Sequence, residues 1–144
     1  VHAEQTLGCA IGQELIRTGR MLNAIKANAQ LVVSMAADEL GIAIGYDEVG
    51  VVWLDGFIER QRNRLAPTHQ LISNLGSYFG ECMIHSFGGN WAELEGGWCV
   101  RFNDRMTANP FGKVAKHLAN GSEDSVLSFF RMIPAAFGHL LEGK

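Results

Sequence analysis

The chain has 144 residues and a mass of 15.7 kDa, is 47% hydrophobic and 19% charged, and carries a net charge of −3 from 12 basic and 15 acidic side chains. That length suits one domain burying roughly 70% of its unfolded surface; the hydrophobic share excludes a disordered chain, and the densest apolar stretch, Leu31 to Ile44, is broken by Asp38 and Glu39, so no membrane span is expected. Acidic and basic residues number 8 and 6 from Val1 to Ala66, and 7 and 6 from Pro67 to Lys144, so neither half has the basic surplus that a nucleic acid partner requires.

In chain order, residues from about Glu4 to Leu40 read as helix. Leu7, Ile11 and Leu15 mark one apolar stripe; Leu22, Ile25, Ala29, Val32 or Val33, Ala36 and Leu40 mark another. Gly19 falls between them and is expected to break or kink the helix. Gly41 to Tyr46 reads as a loop, and Asp47 as the N-cap of a second helix reaching about Asn63, with Val51, Leu54, Phe57, Ile58 and Leu65 on its buried face and Trp53 beside it. Arg60, Arg62 and Arg64 complement the dipole at its end.

Pro67 and Thr68 open a third helix with Leu71, Ile72, Leu75, Phe79, Cys82 and Met83 on one stripe. Gly76 and Gly80 lie four apart there; glycine costs a helix interior roughly 1 kcal/mol relative to alanine, so two of them predict close packing. Asn74, Glu81 and His85 on the same helix argue against a membrane dimer motif. Gly88-Gly89 ends it. Trp98, Val100 and Phe102 then alternate with Cys99, Arg101 and Asn103, which is strand spacing. Gly96-Gly97 predicts a hairpin turn from Trp91–Glu95, with a glycine bulge that sets Ala92 and Leu94, rather than two carboxylates, beside Trp98 and Val100. Asn103-Asp104 turns into a third strand, Arg105 to Ala108.

Asn109-Pro110 starts a helix carrying Phe111, Val114 and Leu118, with Lys113, Lys116 and His117 towards its end at Asn120-Gly121. Ser122 or Asp124 caps a last helix with Val126, Leu127, Phe129, Phe130 and Ile133, which Pro134 ends or bends. The predicted class is α+β: helices packed on one face of a small three-stranded antiparallel meander, in a single domain with a helical N-terminal region (1–45), an α+β core (46–137) and a tail (138–144).

Several stretches carry a likeness: Val52-Trp53-Leu54-Asp55-Gly56-Phe57-Ile58-Glu59-Arg60, Leu75-Gly76-Ser77-Tyr78-Phe79-Gly80-Glu81, Gly88-Gly89-Asn90-Trp91, Asn109-Pro110-Phe111-Gly112-Lys113-Val114-Ala115-Lys116, Asn120-Gly121 and Asp124-Ser125. Through them the chain resembles, between Tyr46 and Phe130, a family of small bacterial α+β domains of unknown function. The resemblance implies the order of elements and brings no catalytic residues with it. Residues 1–45 lie outside it, as an N-terminal elaboration.

Cys9, Cys82 and Cys99 are odd in number and widely spaced, with no C-x-x-C pair, which points to a reduced, cytoplasmic protein without a zinc site. The chain starts at Val1 rather than Met, which leaves room for native residues before it, and the residues after Val1 show no signal-peptide pattern. Asn120-Gly121-Ser122 matches a glycosylation acceptor but reads as a turn between helices.

Glu81 and His85, four apart on the third helix, share a face and could supply two metal ligands or an acid–base couple. A third ligand and an H-E-x-x-H pattern are missing, so the plain reading is a surface pair. Asp55 and Glu59 could do acid–base work if buried together; beside Arg60 and Arg62 they read as a solvated face. Cys82 has His85 within reach as a base, yet it sits on the apolar stripe, where a thiol is inert. No G-x-S-x-G, P-loop or dinucleotide pattern is present. Tyr78, Phe79, Trp91, Trp98 and Phe102 line either a pocket or the core, and the core is the expected place.

The leading expectation is a non-enzymatic protein-interaction or binding module, one that neutralises or escorts another protein, with Trp53 and Trp91 at exposed positions and no cofactor. The alternative is a small-molecule binder or minor enzyme with a pocket around Gly76, Gly80, Glu81 and His85, joined by a polar group from the sheet or from Asn109 to Lys113. It requires His85 to face inward. Self-association through the N-terminal helical region belongs beside both readings.

Overall fold

The computed structural model describes residues 2–64 and 66–142, and the side chains of 12–64 and 66–136. In order these are α1 (His2–Leu40), α2 (Glu48–Gln61), α3 (His69–Phe87), β1 (Asn90–Leu94), β2 (Gly97–Asn103), β3 (Met106–Ala108), α4 (Pro110–Asn120), a 3₁₀ turn (Gly121–Asp124) and α5 (Val126–Glu142). The α+β class and the three-stranded antiparallel order β1-β2-β3 are as the sequence predicts. No helix among the described residues is long and apolar enough to cross a membrane.

Local chemistry sets most of the boundaries. Asp47 accepts from Gly50 N at 2.9 Å to start α2, Thr68 accepts from Leu71 N at 3.2 Å to start α3, and Asn109 accepts from Gly112 N at 3.0 Å ahead of Pro110 in α4. Each satisfies a backbone donor that the first turn leaves free. The C-cap N–H groups of Gly88 and Gly121 return to Ile84 O and His117 O.

α1 runs unbroken through Gly19, against expectation. Ile25, Ala29, Val32 and Ala36 repeat at helical spacing along it and are buried. One glycine costs less than this seam gains from burial, roughly 25 cal/mol per Å² of apolar surface. Leu15, assigned to a buried stripe, is 69% exposed, while the side chains of Leu7 and Ile11 lie outside the described ones. One cluster of buried side chains then draws on α1 (Ala29, Val32), α2 (Val51, Leu54, Ile58), α3 (Leu75, Tyr78, Phe79, Cys82, Met83), β2 (Val100), β3 (Ala108), α4 (Val114, Leu118) and α5 (Val126, Phe130, Ile133). Leu65 lies outside the described residues.

Gly76 and Gly80 pack closely, as expected, but against aromatic rings rather than another backbone. A methyl at Gly76 would overlap Phe111, and one at Gly80 would overlap Trp91. The two rings lie 5.7 Å apart, tilted by 34°. These two glycines therefore let the hairpin and α4 settle directly on α3.

The hairpin register differs from expectation. Leu94 pairs with Gly97, Glu93 with Trp98, Ala92 with Cys99 and Trp91 with Val100, closing on the two-residue turn Glu95-Gly96 with no bulge. Alternation puts Glu93 on the same face as Trp91, Trp98 and Val100. The carboxylate is tolerated there because Arg17 of α1 reaches it at 2.5 Å. The irregularity lies instead between β2 and β3, at Arg101/Asn103, where Asn103 Oδ1 accepts from Arg105 N at 2.8 Å; the turn is Asp104-Arg105 and β3 starts at Met106.

At the C-terminal end neither Ser122 nor Asp124 caps α5. Ser125 Oγ accepts from Ser128 N at 3.2 Å and does so instead. Pro134 does not end the helix, which continues to Glu142. Pro134 has no N–H to give to the carbonyl four residues earlier, so the helix passes it with one backbone hydrogen bond fewer. Most of the expected tail is thus helical, and its side chains lie outside the described ones.

Candidate functional site

A groove of about 440 Å³ opens where α1, α3, β2 and α4 meet. Met21 and Ile25 of α1, Ile72 of α3, Trp98 of β2 and Phe111 and Ala115 of α4 give it apolar walls. Phe111 holds its wall position because Gly76 leaves room for the ring against α3. The polar side chains on the lining are Asn28, His69, Ser73 and Ser77. Ser77 is fully buried, yet its hydroxyl has no hydrogen-bond partner, and neither has the buried Trp98 Nε1. Both atoms are closed off from the groove itself, and the buried Trp53 Nε1 and Arg62 Nε, away from it, are equally without a partner.

The six residues singled out from the sequence fall in three separate places. Glu81, His85 and Trp91 border a cavity of about 250 Å³ together with Lys26 and Asn90. Glu81 is buried, and its Oε2 accepts from Trp91 Nε1 at 2.8 Å. His85 Nε2 stands 3.7 Å from Glu81 Oε1, but the His85 side chain is 54% exposed and stacks on Tyr46 at 4.9 Å. The inward-facing imidazole that a pocket here requires is absent: the Glu81 carboxylate serves to anchor the hairpin on α3. Among the described residues no group of three or more His, Cys, Asp or Glu side chains is placed to hold a metal ion.

Asn109 and Lys113 border a third cavity of about 310 Å³. The Asn109 side chain is used in capping α4. Lys113 lies 3.2 Å from Asp124 and 5.5 Å from the centre of the Phe129 ring. Hydrogen bonding from Asn120 and then from Lys113 holds the Asp124 carboxyl below its usual range. Trp53 stands apart from both groups, stacked on Phe57 at 5.2 Å and edge-on to Tyr78. Trp53 and Trp91, expected at exposed positions, are instead half-buried against the core. The Trp91 ring lies over Gly80 of α3.

Asp55 and Glu59 do not form a solvated face. His117, fully buried on α4, places Nε2 2.8 Å from Glu59 Oε1 and receives Val126 N–H on Nδ1 at 3.2 Å. Because Nδ1 accepts, Nε2 carries the proton it donates to Glu59. Asp55 Oδ2 accepts from Ser125 Oγ and from Leu127 N. A serine, a histidine and two carboxylates thus come together, but the hydroxyl proton goes to a carboxylate and both imidazole nitrogens are taken. The arrangement ties α2 to α4 and α5 rather than activating a nucleophile. Cys82 is equally withdrawn, since burial pushes its thiol up to about 12.

Ser77, Trp98 and His117 are the polar residues that sequence reasoning missed or left in the core. A hydroxyl between Gly76 and Gly80 and a tryptophan on a strand were visible, but their convergence depends on elements far apart in the chain. In comparisons with known proteins, no family model, curated protein or solved structure matches the chain.

Proposed function

We propose that the protein is a non-enzymatic binding module whose site is the groove between α1, α3, β2 and α4, and that it takes a small apolar molecule. The observation that carries this reading is the set of apolar walls that Met21, Ile25, Ile72, Trp98, Phe111 and Ala115 bring together around one groove. A volume of about 440 Å³ falls within the roughly 300–1,000 Å³ of small-molecule sites. The engaged nitrogens of His117 and the buried thiol of Cys82 support binding over covalent or acid–base chemistry. The free thiols of Cys82 and Cys99 support a reducing, cytoplasmic setting.

Titration with N-phenylnaphthylamine, a neutral probe that brightens in apolar surroundings, tests the site. The wild-type chain brightens the probe, and Ala24→Trp and Ala115→Trp, which fill the groove, abolish the signal with far-UV circular dichroism unchanged. Undiminished brightening in both folded variants overturns the assignment.

A second reading, a protein partner or a second copy docked on α1, is favoured by Leu15, Ile16 and Leu31, which are 69%, 59% and 56% exposed. Light scattering of the wild type against an Ile16→Glu variant tests it: a fall in mass supports the docking, and an unchanged mass counts against it.

A further inference from the structure

The cavity of about 250 Å³ between α1, α3 and β1 is separate from the groove, and we infer that it is a second site, for a small zwitterion of the free amino acid class. Glu81 of α3 holds the ammonium end and Lys26 of α1 the carboxylate end. The Glu81 side chain is nine-tenths buried, yet only one of its oxygens is engaged: Oε2 accepts from Trp91 Nε1 at 2.8 Å. His85 Nε2 stands 3.7 Å from Oε1, beyond hydrogen-bonding reach. Among the described residues no other donor approaches that oxygen. Unlike Ser77 Oγ and Trp98 Nε1, it is not sealed in: Glu81 lines the cavity with the 10% of its side-chain surface that stays accessible. A carboxylate can take about four donors, so one that has given up most of its water for a single indole N–H calls for another donor from the cavity.

The facing wall carries the opposite charge. Lys26 is exposed and borders the same cavity, and among the described residues its ammonium is in no ion pair, with Glu81 or with any other carboxylate. The two charges are held apart across the cavity rather than joined. An occupant of a single sign is attracted by one wall and repelled by the other, and a hydrocarbon would cover Glu81 Oε1 without giving it a donor. A zwitterion meets both demands: its ammonium donates to Glu81 Oε1, and its carboxylate accepts from Lys26 Nζ. Leu22, Ile84 and the Trp91 ring offer apolar surface to its side chain. The volume lies below the roughly 300–1,000 Å³ of drug-sized sites, which suits a molecule as small as an amino acid. The exposed imidazole of His85 is not needed for either contact.

Leucine and two analogues that each lack one of its charges separate the possibilities: isoamylamine, without the carboxylate, and 4-methylpentanoate, without the ammonium. Each is titrated near neutral pH into the wild type, Glu81→Gln and Lys26→Met, and followed by the Trp91 indole N–H in proton–nitrogen NMR. Glu81→Gln removes the charge but keeps an oxygen for Trp91, and Lys26→Met changes an exposed helical position should the first variant fold poorly. Leucine is expected to shift the Trp91 resonance, to leave that of Trp98 in place, and to bind the wild type roughly tenfold more tightly than either analogue. Glu81→Gln should weaken leucine and isoamylamine roughly tenfold and spare 4-methylpentanoate; Lys26→Met should weaken leucine and 4-methylpentanoate and spare isoamylamine. Leucine that binds no more tightly than its analogues, or that is unweakened in both folded variants, overturns the zwitterion. A Trp91 resonance that leucine leaves unmoved overturns the site, while the groove stands or falls by its own probe.

Discussion

His117 on α4 holds Glu59 on α2, Nε2 to Oε1 at 2.8 Å, although the imidazole itself reaches no solvent. Removing the acceptor leaves a buried N–H unpaired, so Glu59→Ala should cost about 1–3 kcal/mol. Glu59→Gln keeps an acceptor oxygen and should recover most of that. Urea unfolding with an unchanged m-value measures both variants. Wild-type stability in Glu59→Ala would show that the contact is not a structural tie.

Trp91 covers Gly80, where no Cβ can be accommodated without the ring moving. Helix propensity alone favours alanine by about 1 kcal/mol. A net loss of about 1–3 kcal/mol in Gly80→Ala is therefore the signature of overpacking. Trp91→Leu, placed in the same chain, should make the double variant less destabilised than the sum of the two. Strict additivity in thermal unfolding would mean the residues do not press on each other.

Alkaline pH should weaken the fold. Burial pushes the Cys82 thiol up to about 12 from an ordinary 9.0, and raises the Tyr78 phenol as well. Above pH 9.0 the unfolded chain gives up the Cys82 proton while the folded chain keeps it, so unfolding releases a proton and stability falls as pH rises towards 12. One such group contributes a slope of about 1.4 kcal/mol per pH unit. Cys82→Ala should flatten the curve by that much, with the Tyr78 part remaining. A curve of the same steepness in the variant would contradict the assignment.

Deleting residues 1–40 removes Ile25, Ala29, Val32 and Ala36, the side chains by which α1 enters the core. α3 would be left with an uncovered apolar face. The truncated chain should lose its cooperative thermal transition and bind hydrophobic dyes without specificity. A cooperative transition near the wild-type midpoint would make α1 an appendage instead of part of the fold.

The sequence disclosed what is decided within a few residues. The caps at Asp47, Thr68 and Asn109 need only a side chain and the next turn, and each was readable. The demand of Gly76 and Gly80 for close packing was readable too, though not that Phe111 and Trp91 would meet it. Gly19 and Pro134 were overweighted because propensity is a weak prior when a helix has a seam to bury. The hairpin register was missed because Arg17, which neutralises Glu93, lies 76 residues earlier. Asp55 and Glu59 were read as solvated because nothing near them announces His117, and the groove needs four elements together before Ser77 and Trp98 share a cavity.

The most direct test of the ligand site is two-dimensional proton–nitrogen NMR of the three indole N–H groups during titration with N-phenylnaphthylamine. The Trp98 resonance, whose residue lines the groove, should shift as the probe binds, while those of Trp53 and Trp91 stay in place. A Trp98 resonance unmoved at saturation would contradict a ligand site in this groove.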